Sequence, residues 1–333
     1  MQGERFSIDG WRTLRQIGMW LAAGLLAAFT VGCGAGGVAG NGAEPGEKVQ
    51  VAATISVVED LVKQVGGDRV EVFSIVPVGG SPETFQPSPR DAGRISESRV
   101  VFENGLGLDS WVEDLISSAG SEEQTVVELS EGLDLLESGE HEEEHGAEEP
   151  GEEGEHAHEH AEGNPHFWLD VANAEHYVER IQDTLIEADP DGAEEYEANA
   201  GEYLAELEEL DGYIREKAGS IPEERRKLVT FHDAFPYFAD AYEFELVGVV
   251  LENPEAKPGS REVAEVVRTI EEEEVPVVFT EPQFSAGLAD TIAGEAGVEV
   301  RELYSDTLSE DNAAGTYEAM MRTNIERILE ALG

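Results

Sequence analysis

Residues 49–78 read VQVAATISVVEDLVKQVGGDRVEVFSIVPV. The opening VQVAATIS is a short apolar run with several β-branched residues, the pattern of a buried strand. VVEDLVKQVGG then changes to helical spacing and stops at a glycine pair. VEVFSIVPV returns to strand character. Strand, helix and strand in such quick succession predict a parallel sheet with helices over both faces.

Working outward, the alternation continues. RVVFEN (99–104) and TVVELS (125–130) read as strands, with SWVEDLISSAG (110–120) as the helix between them. Residues 137–163 interrupt the series. They hold 12 Glu and no Val, Ile, Leu or aromatic residue, so they cannot bury a core face and are expected to be disordered. Residues 173–188 then look helical, and 191–218 look like one long helix. Its Tyr196, Tyr203, Leu204, Leu207, Leu210, Tyr213 and Ile214 keep a helical period. A second series follows, with strands at KLVTF, FELVGVVL, VPVVFT and VEVREL. Helices are expected at AFPYFADAY and SREVAEVVRTIEEEE and in a C-terminal stripe from Tyr317 to Leu332. The expected class is α/β, with two lobes of parallel sheet flanked by helices and joined by one long rigid helix. The expected boundaries are 49–188 for the first lobe, 189–219 for the linking helix and 220–333 for the second lobe.

Ahead of the lobes, three Arg precede an apolar run from Ile17 to Val31. The run is short for a membrane span, which needs ~20 residues, and suits an export signal. It ends at Cys33, the one cysteine of the chain, so no internal disulfide can form. The segment resembles a bacterial lipoprotein signal over residues 1–33, with Cys33 as the lipidated residue and 34–48 as a Gly-rich tether. An uncleaved N-terminal anchor is the alternative, and Thr30 departs from the usual Leu. Either reading places the folded part outside the cytoplasm, on a membrane.

The chain carries 73 acidic residues against 21 basic ones. That excludes nucleic acid as partner, because phosphate binding needs Lys and Arg on the contact face. It is compatible with cations as cargo, although a solvated acidic surface explains most of the excess.

Chemistry is sought at the carboxyl ends of the strands, where ligands of such sheets sit. Glu83 lies in GGSPETFQPSP, where Pro82, Pro87 and Pro89 stiffen the loop. His166 lies in NPHFWLD, His232 in TFHDAF and Asp306 in YSDTLSED. Two imidazoles and two carboxylates form a charge-balanced four-point set for a divalent metal such as Zn²⁺. Taken singly, Glu83 could be an exposed loop acid and Asp306 a turn cap. The two histidines are harder to dismiss, since five of the eight fall in the acidic run and His176 reads as a surface helix residue. HEEEH (141–145) fits a zinc-protease pattern formally, but its flanks have no apolar face to pack a helix, and it is rejected.

Together GGSPETFQPSPRD, VVFENGLGLDSWV, NPHFWLDVANA, VTFHDAFPYFADAY, VFTEPQF and YSDTLSED resemble the substrate-binding lipoproteins of bacterial zinc and manganese ABC transporters, a family that includes cell-adhesion lipoproteins. The resemblance runs from about residue 49 to the C-terminus. It implies a metal held between two lobes by Glu83, His166, His232 and Asp306. It also implies a permease and its ATPase as partners, a lipid anchor in the membrane, a monomeric state and no catalytic activity. Glu83 departs from the family's usual His, which leaves manganese as an alternative to zinc. The acidic run resembles the His-rich loop of zinc-specific members. On that reading His141, His145, His156, His158 and His160 collect metal weakly, and a functionless insertion is the alternative. The competing classes are an extracytoplasmic zinc hydrolase, which needs an open coordination position, and a tethered metal buffer or adhesin without a transporter.

Overall fold

In the computed structural model, which describes residues 48–121, 124–136, 163–251, 258–311 and 313–333, the apolar runs form two parallel four-stranded sheets. The first contains β1 (Val49–Ala53), β2 (Val70–Ser74), β3 (Val100–Glu103) and β4 (Thr125–Glu128), in the order β2-β1-β3-β4. The second contains β5 (Lys227–His232), β6 (Glu245–Leu251), β7 (Val277–Thr280) and β8 (Glu299–Glu302), in the order β6-β5-β7-β8. Both sheets share one winding. In each, strand order reverses between the first and third strands, which opens a crevice at their carboxyl ends. Val51, Ala52 and Ala53 of β1 have no exposed surface, as expected of a strand covered on both faces.

Nine α-helices lie among the described residues. They are α1 (Ser56–Gly66), α2 (Pro89–Glu97), α3 (Trp111–Ala119), α4 (Val171–Ala188), α5 (Ala193–Ser220), α6 (Pro236–Tyr242), α7 (Ser260–Glu272), α8 (Ala286–Ala296) and α9 (Tyr317–Leu332). Asp170 caps α4 by accepting from the Ala172 N–H at 3.0 Å. α2 and α8 do not figure among the sequence-based expectations. α2 starts at a proline and has Ile95 as its one buried residue, and α8 is built of small residues with two internal glycines. Neither carries a stripe of large apolar side chains.

The long helix α5 has 28 residues, a span of about 42 Å. Tyr196, Ala200, Tyr203, Leu207, Leu210, Ile214 and Ala218 are buried along one stripe. That stripe packs on α1, α4 and α9. The resulting apolar core is continuous from Val49 and Val100 of the first sheet to Leu228 and Phe279 of the second.

Buried polar bonds join the lobes as well. Trp168 Nε1 donates to the Ser305 carbonyl at 3.0 Å, and Tyr317 Oη donates to the Trp168 carbonyl at 2.7 Å. The Tyr317 N–H donates to Asp60 Oδ2 at 2.8 Å. Thr307 Oγ1 accepts from the Gly79 N–H at 2.8 Å, and Gly79 has φ +82°, a conformation that favours glycine. Trp168→Phe removes the indole donor and leaves a buried carbonyl unpaired. Urea unfolding of the metal-free protein is expected to show a loss of about 1–3 kcal/mol.

Cys33, the export segment and tether, and His141, His145, His156, His158 and His160 lie outside the described residues. Among those described, no helix is long and apolar enough to cross a membrane.

Candidate metal centre

His232 is the last residue of β5, and Glu281 follows the last residue of β7, the neighbouring strand. The crevice of the second sheet therefore places them side by side, with His232 Nδ1 2.6 Å from Glu281 Oε2. A carboxylate facing Nδ1 keeps the proton there and leaves Nε2 pointing outward. Asp306 lies beyond β8 in the same lobe. Its Oδ2 accepts from Gln283 Nε2 at 3.2 Å. His166 comes from the first lobe, directly before a short 3-10 turn at Phe167–Leu169.

Three ligand-type atoms converge. His166 Nε2 lies 3.3 Å from His232 Nε2 and 3.2 Å from Asp306 Oδ1, and His232 Nε2 lies 3.7 Å from Asp306 Oδ1. All three residues are about 1 % exposed. A tetrahedral ion with ~2.1 Å bonds separates its donors by roughly 3.4 Å, so the triangle has the size such an ion needs. Despite these neighbours, Asp306 Oδ1 has no hydrogen-bond partner of good geometry among the described residues. An orphaned buried acceptor is costly and calls for a partner. Trp168 packs on the His166 ring, with centroids 5.4 Å apart, and Phe284 packs edge-on to His232 at 5.0 Å.

Glu83 lies outside the tightest cluster, in which ligand atoms of His166, His232 and Asp306 fall within 4.8 Å of one another. Its Oε2 is buried and has no hydrogen-bond partner among the described residues. Burial raises its proton affinity, the nearby His166 opposes that shift, and Asp306 adds to it. The loop is held by Trp111, whose Nε1 donates to the Pro82 carbonyl at 2.9 Å.

Electrostatics follow from the crowding of acids. Burial alone would depress the His232 pKa, but the carboxylates of Glu281, Asp306 and Glu83 outweigh it and push it up to about 10. Burial likewise raises the Glu281 carboxyl, against the pull of His232. Burial also disfavours the Asp306 anion, yet His232 and His166 prevail and hold its pKa below the usual range.

Sequence reasoning missed Glu281 as a site residue, although VFTEPQF was singled out. The available signal was a lone acid directly after the short strand VVFT. His176 is not part of the cluster; it lies in α4 with Nε2 3.1 Å from the Glu131 carbonyl.

The family described as "Zinc-uptake complex component A periplasmic" matches residues 51–331. The chain is 34% identical to the "Manganese-binding lipoprotein MntA" of Halalkalibacterium halodurans over 312 residues, 92% of this chain and 96% of that protein. It is 28% identical to the "Manganese ABC transporter substrate-binding lipoprotein PsaA" of Streptococcus pneumoniae, over 96% of this chain and 99% of that one. Among solved structures, the periplasmic zinc-binding protein TroA from Treponema pallidum superposes with a TM-score of 0.74. It is 26% identical, over 86% of this chain and 99% of that one. A manganese-bound periplasmic metal-binding protein from Candidatus Liberibacter asiaticus shares the fold, with a TM-score of 0.74 at 22% identity over 86% of this chain and 100% of that one.

Proposed function

The chain belongs to the periplasmic zinc-uptake complex component A family, and from that premise we propose that it captures manganese between its lobes and delivers it to a membrane permease. It is an extracytoplasmic metal-binding component of an ABC transporter and not an enzyme. The permease and its ATPase are its partners. The lipoprotein names of its relatives support a lipid anchor, which Cys33 would carry.

The reading is carried by the buried triangle of His166 Nε2, His232 Nε2 and Asp306 Oδ1, contributed by both lobes. These atoms bind the ion, and Glu83 supplies the fourth ligand. Manganese is favoured by the carboxylate at position 83, since oxygen donors suit it better than a His-rich set does. The relatives named for manganese support the same choice. Zinc is the second reading, favoured by the tetrahedral size of the triangle. The acidic surface attracts the cation, and the ligands close on it with little lobe movement, because α5 and the buried interlobe bonds hold the two halves together.

The experiment is metal analysis of protein recovered from cells supplied equally with manganese and zinc. Manganese is expected in the unaltered chain, and Glu83→His is expected to shift the content toward zinc. Zinc in the unaltered chain would overturn the manganese assignment, and metal-free protein would overturn capture itself.

A further inference from the structure

Asn164 precedes His166 by two residues and is 2 % exposed. Its side-chain oxygen accepts from the His166 backbone N–H at 3.0 Å and faces His166 Nδ1 at 2.9 Å. Its side-chain NH₂ reaches the other lobe, donating to the Asp233 carbonyl at 2.6 Å and to Asp233 Oδ2 at 3.2 Å. Asp233 directly follows His232. The backbone of Asn164 is fixed too. Its N–H donates to the Leu136 carbonyl at 3.0 Å, and its carbonyl accepts from Tyr237 Oη at 3.0 Å.

These partners leave the amide one orientation. A backbone N–H can only donate and a carbonyl can only accept, so the oxygen faces His166 and the NH₂ faces Asp233. The oxygen in turn requires a proton on Nδ1 of the neutral ring. Nε2 then keeps its lone pair, and Nε2 is the nitrogen that faces His232 and Asp306.

We propose that Asn164 is a positioning residue for metal capture, which selects Nε2 of His166 and ties that residue to the strand end carrying His232. The inference rests on His166, His232 and Asp306 being the ligands. Without Asn164, the imidazole could place its proton on either nitrogen and turn about its ring torsion. The ion would then meet a site that still has to be ordered.

The test measures Mn²⁺ and Zn²⁺ affinity of the full chain in detergent by chelator competition, for the unaltered protein, N164A, N164D and H166A. It adds the imidazole ¹⁵N spectrum of the metal-free forms. Asn164→Ala is expected to weaken both ions by about ten- to a hundredfold and to show both His166 tautomers, where the unaltered chain shows only the Nδ1–H form. Asn164→Asp keeps the acceptor for His166 and loses the donors to Asp233. It is expected to retain the single tautomer and to fall between the other two in affinity, and it keeps the inference testable should N164A fail to fold. The inference is overturned if N164A binds within about twofold of the unaltered chain, if its spectrum still shows one tautomer, or if N164D is no better than N164A. H166A separates the two readings. Intact binding in H166A means that the ligand assignment has failed, whereas lost binding in H166A beside intact N164A removes only the role of Asn164.

Discussion

Alanine at position 232 is expected to weaken divalent-metal binding by roughly two orders of magnitude, because the proposed site loses one of its donors. The loss has a second part. Glu281 faces Nδ1 of His232 from inside the lobe, and its other oxygen, Oε1, has no partner among the described residues. Removing the imidazole therefore also strips a buried carboxylate of its hydrogen-bond partner among the described residues, which costs free energy in the empty site as well as in the loaded one. Titration against a competing chelator checks the affinity, and thermal unfolding of the metal-free variant checks that the lobes still fold. Affinity within about threefold of the unaltered chain would remove His232 from the ion's surroundings.

Acidification is expected to have a comparable effect. His232 in the metal-free site has a pKa pushed up to about 10. Its ring therefore carries a proton throughout the neutral range, and an incoming ion must displace it. One proton released per ion makes affinity fall about tenfold for each pH unit of acidification, or roughly a hundredfold between about pH 8 and about pH 6. The sign follows from the direction of the shift: a raised pKa strengthens the proton as a competitor, so binding tightens with rising pH until about 10 is reached. Glu83 and Glu281 also hold protons more readily than ordinary carboxylates, which steepens the fall at the acid end. Calorimetric titrations in buffers of different ionisation heat count the protons released. Binding that is independent of pH over this window would contradict the electrostatic account.

Much of the architecture was legible because its elements bury stripes of large apolar residues. The stripe on α9 (Tyr317, Met320, Met321, Ile325, Ile328 and Leu332) is buried throughout, as its spacing predicts. On α7 the apolar face is shallower: Ile270 is buried, while Val263, Val266 and Val267 pack at the margin of the core. Periodicity records which side of a helix faces inward and says little about depth. The continuity of the core across both lobes was not legible, because it depends on α5 and α9 lying together, far apart in sequence as the strands they join are. At the site, His232 could be found because it ends a largely buried strand and is one of three histidines outside the acidic run. Asn164 and Glu281 could not be assigned their parts from sequence, since each acts through contacts more than 45 residues away, Asn164 with Asp233 and Glu281 with His232.

Donor atoms from both lobes are expected to close on one ion. A crystal structure of the manganese-loaded protein, with anomalous diffraction collected at the metal's absorption edge, tests it most directly. A single strong peak is expected at bonding distance from His166 Nε2, His232 Nε2 and Asp306 Oδ1, with the Glu83 carboxylate turned toward it. A peak bound by residues of one lobe alone, or one away from these histidines, would contradict it.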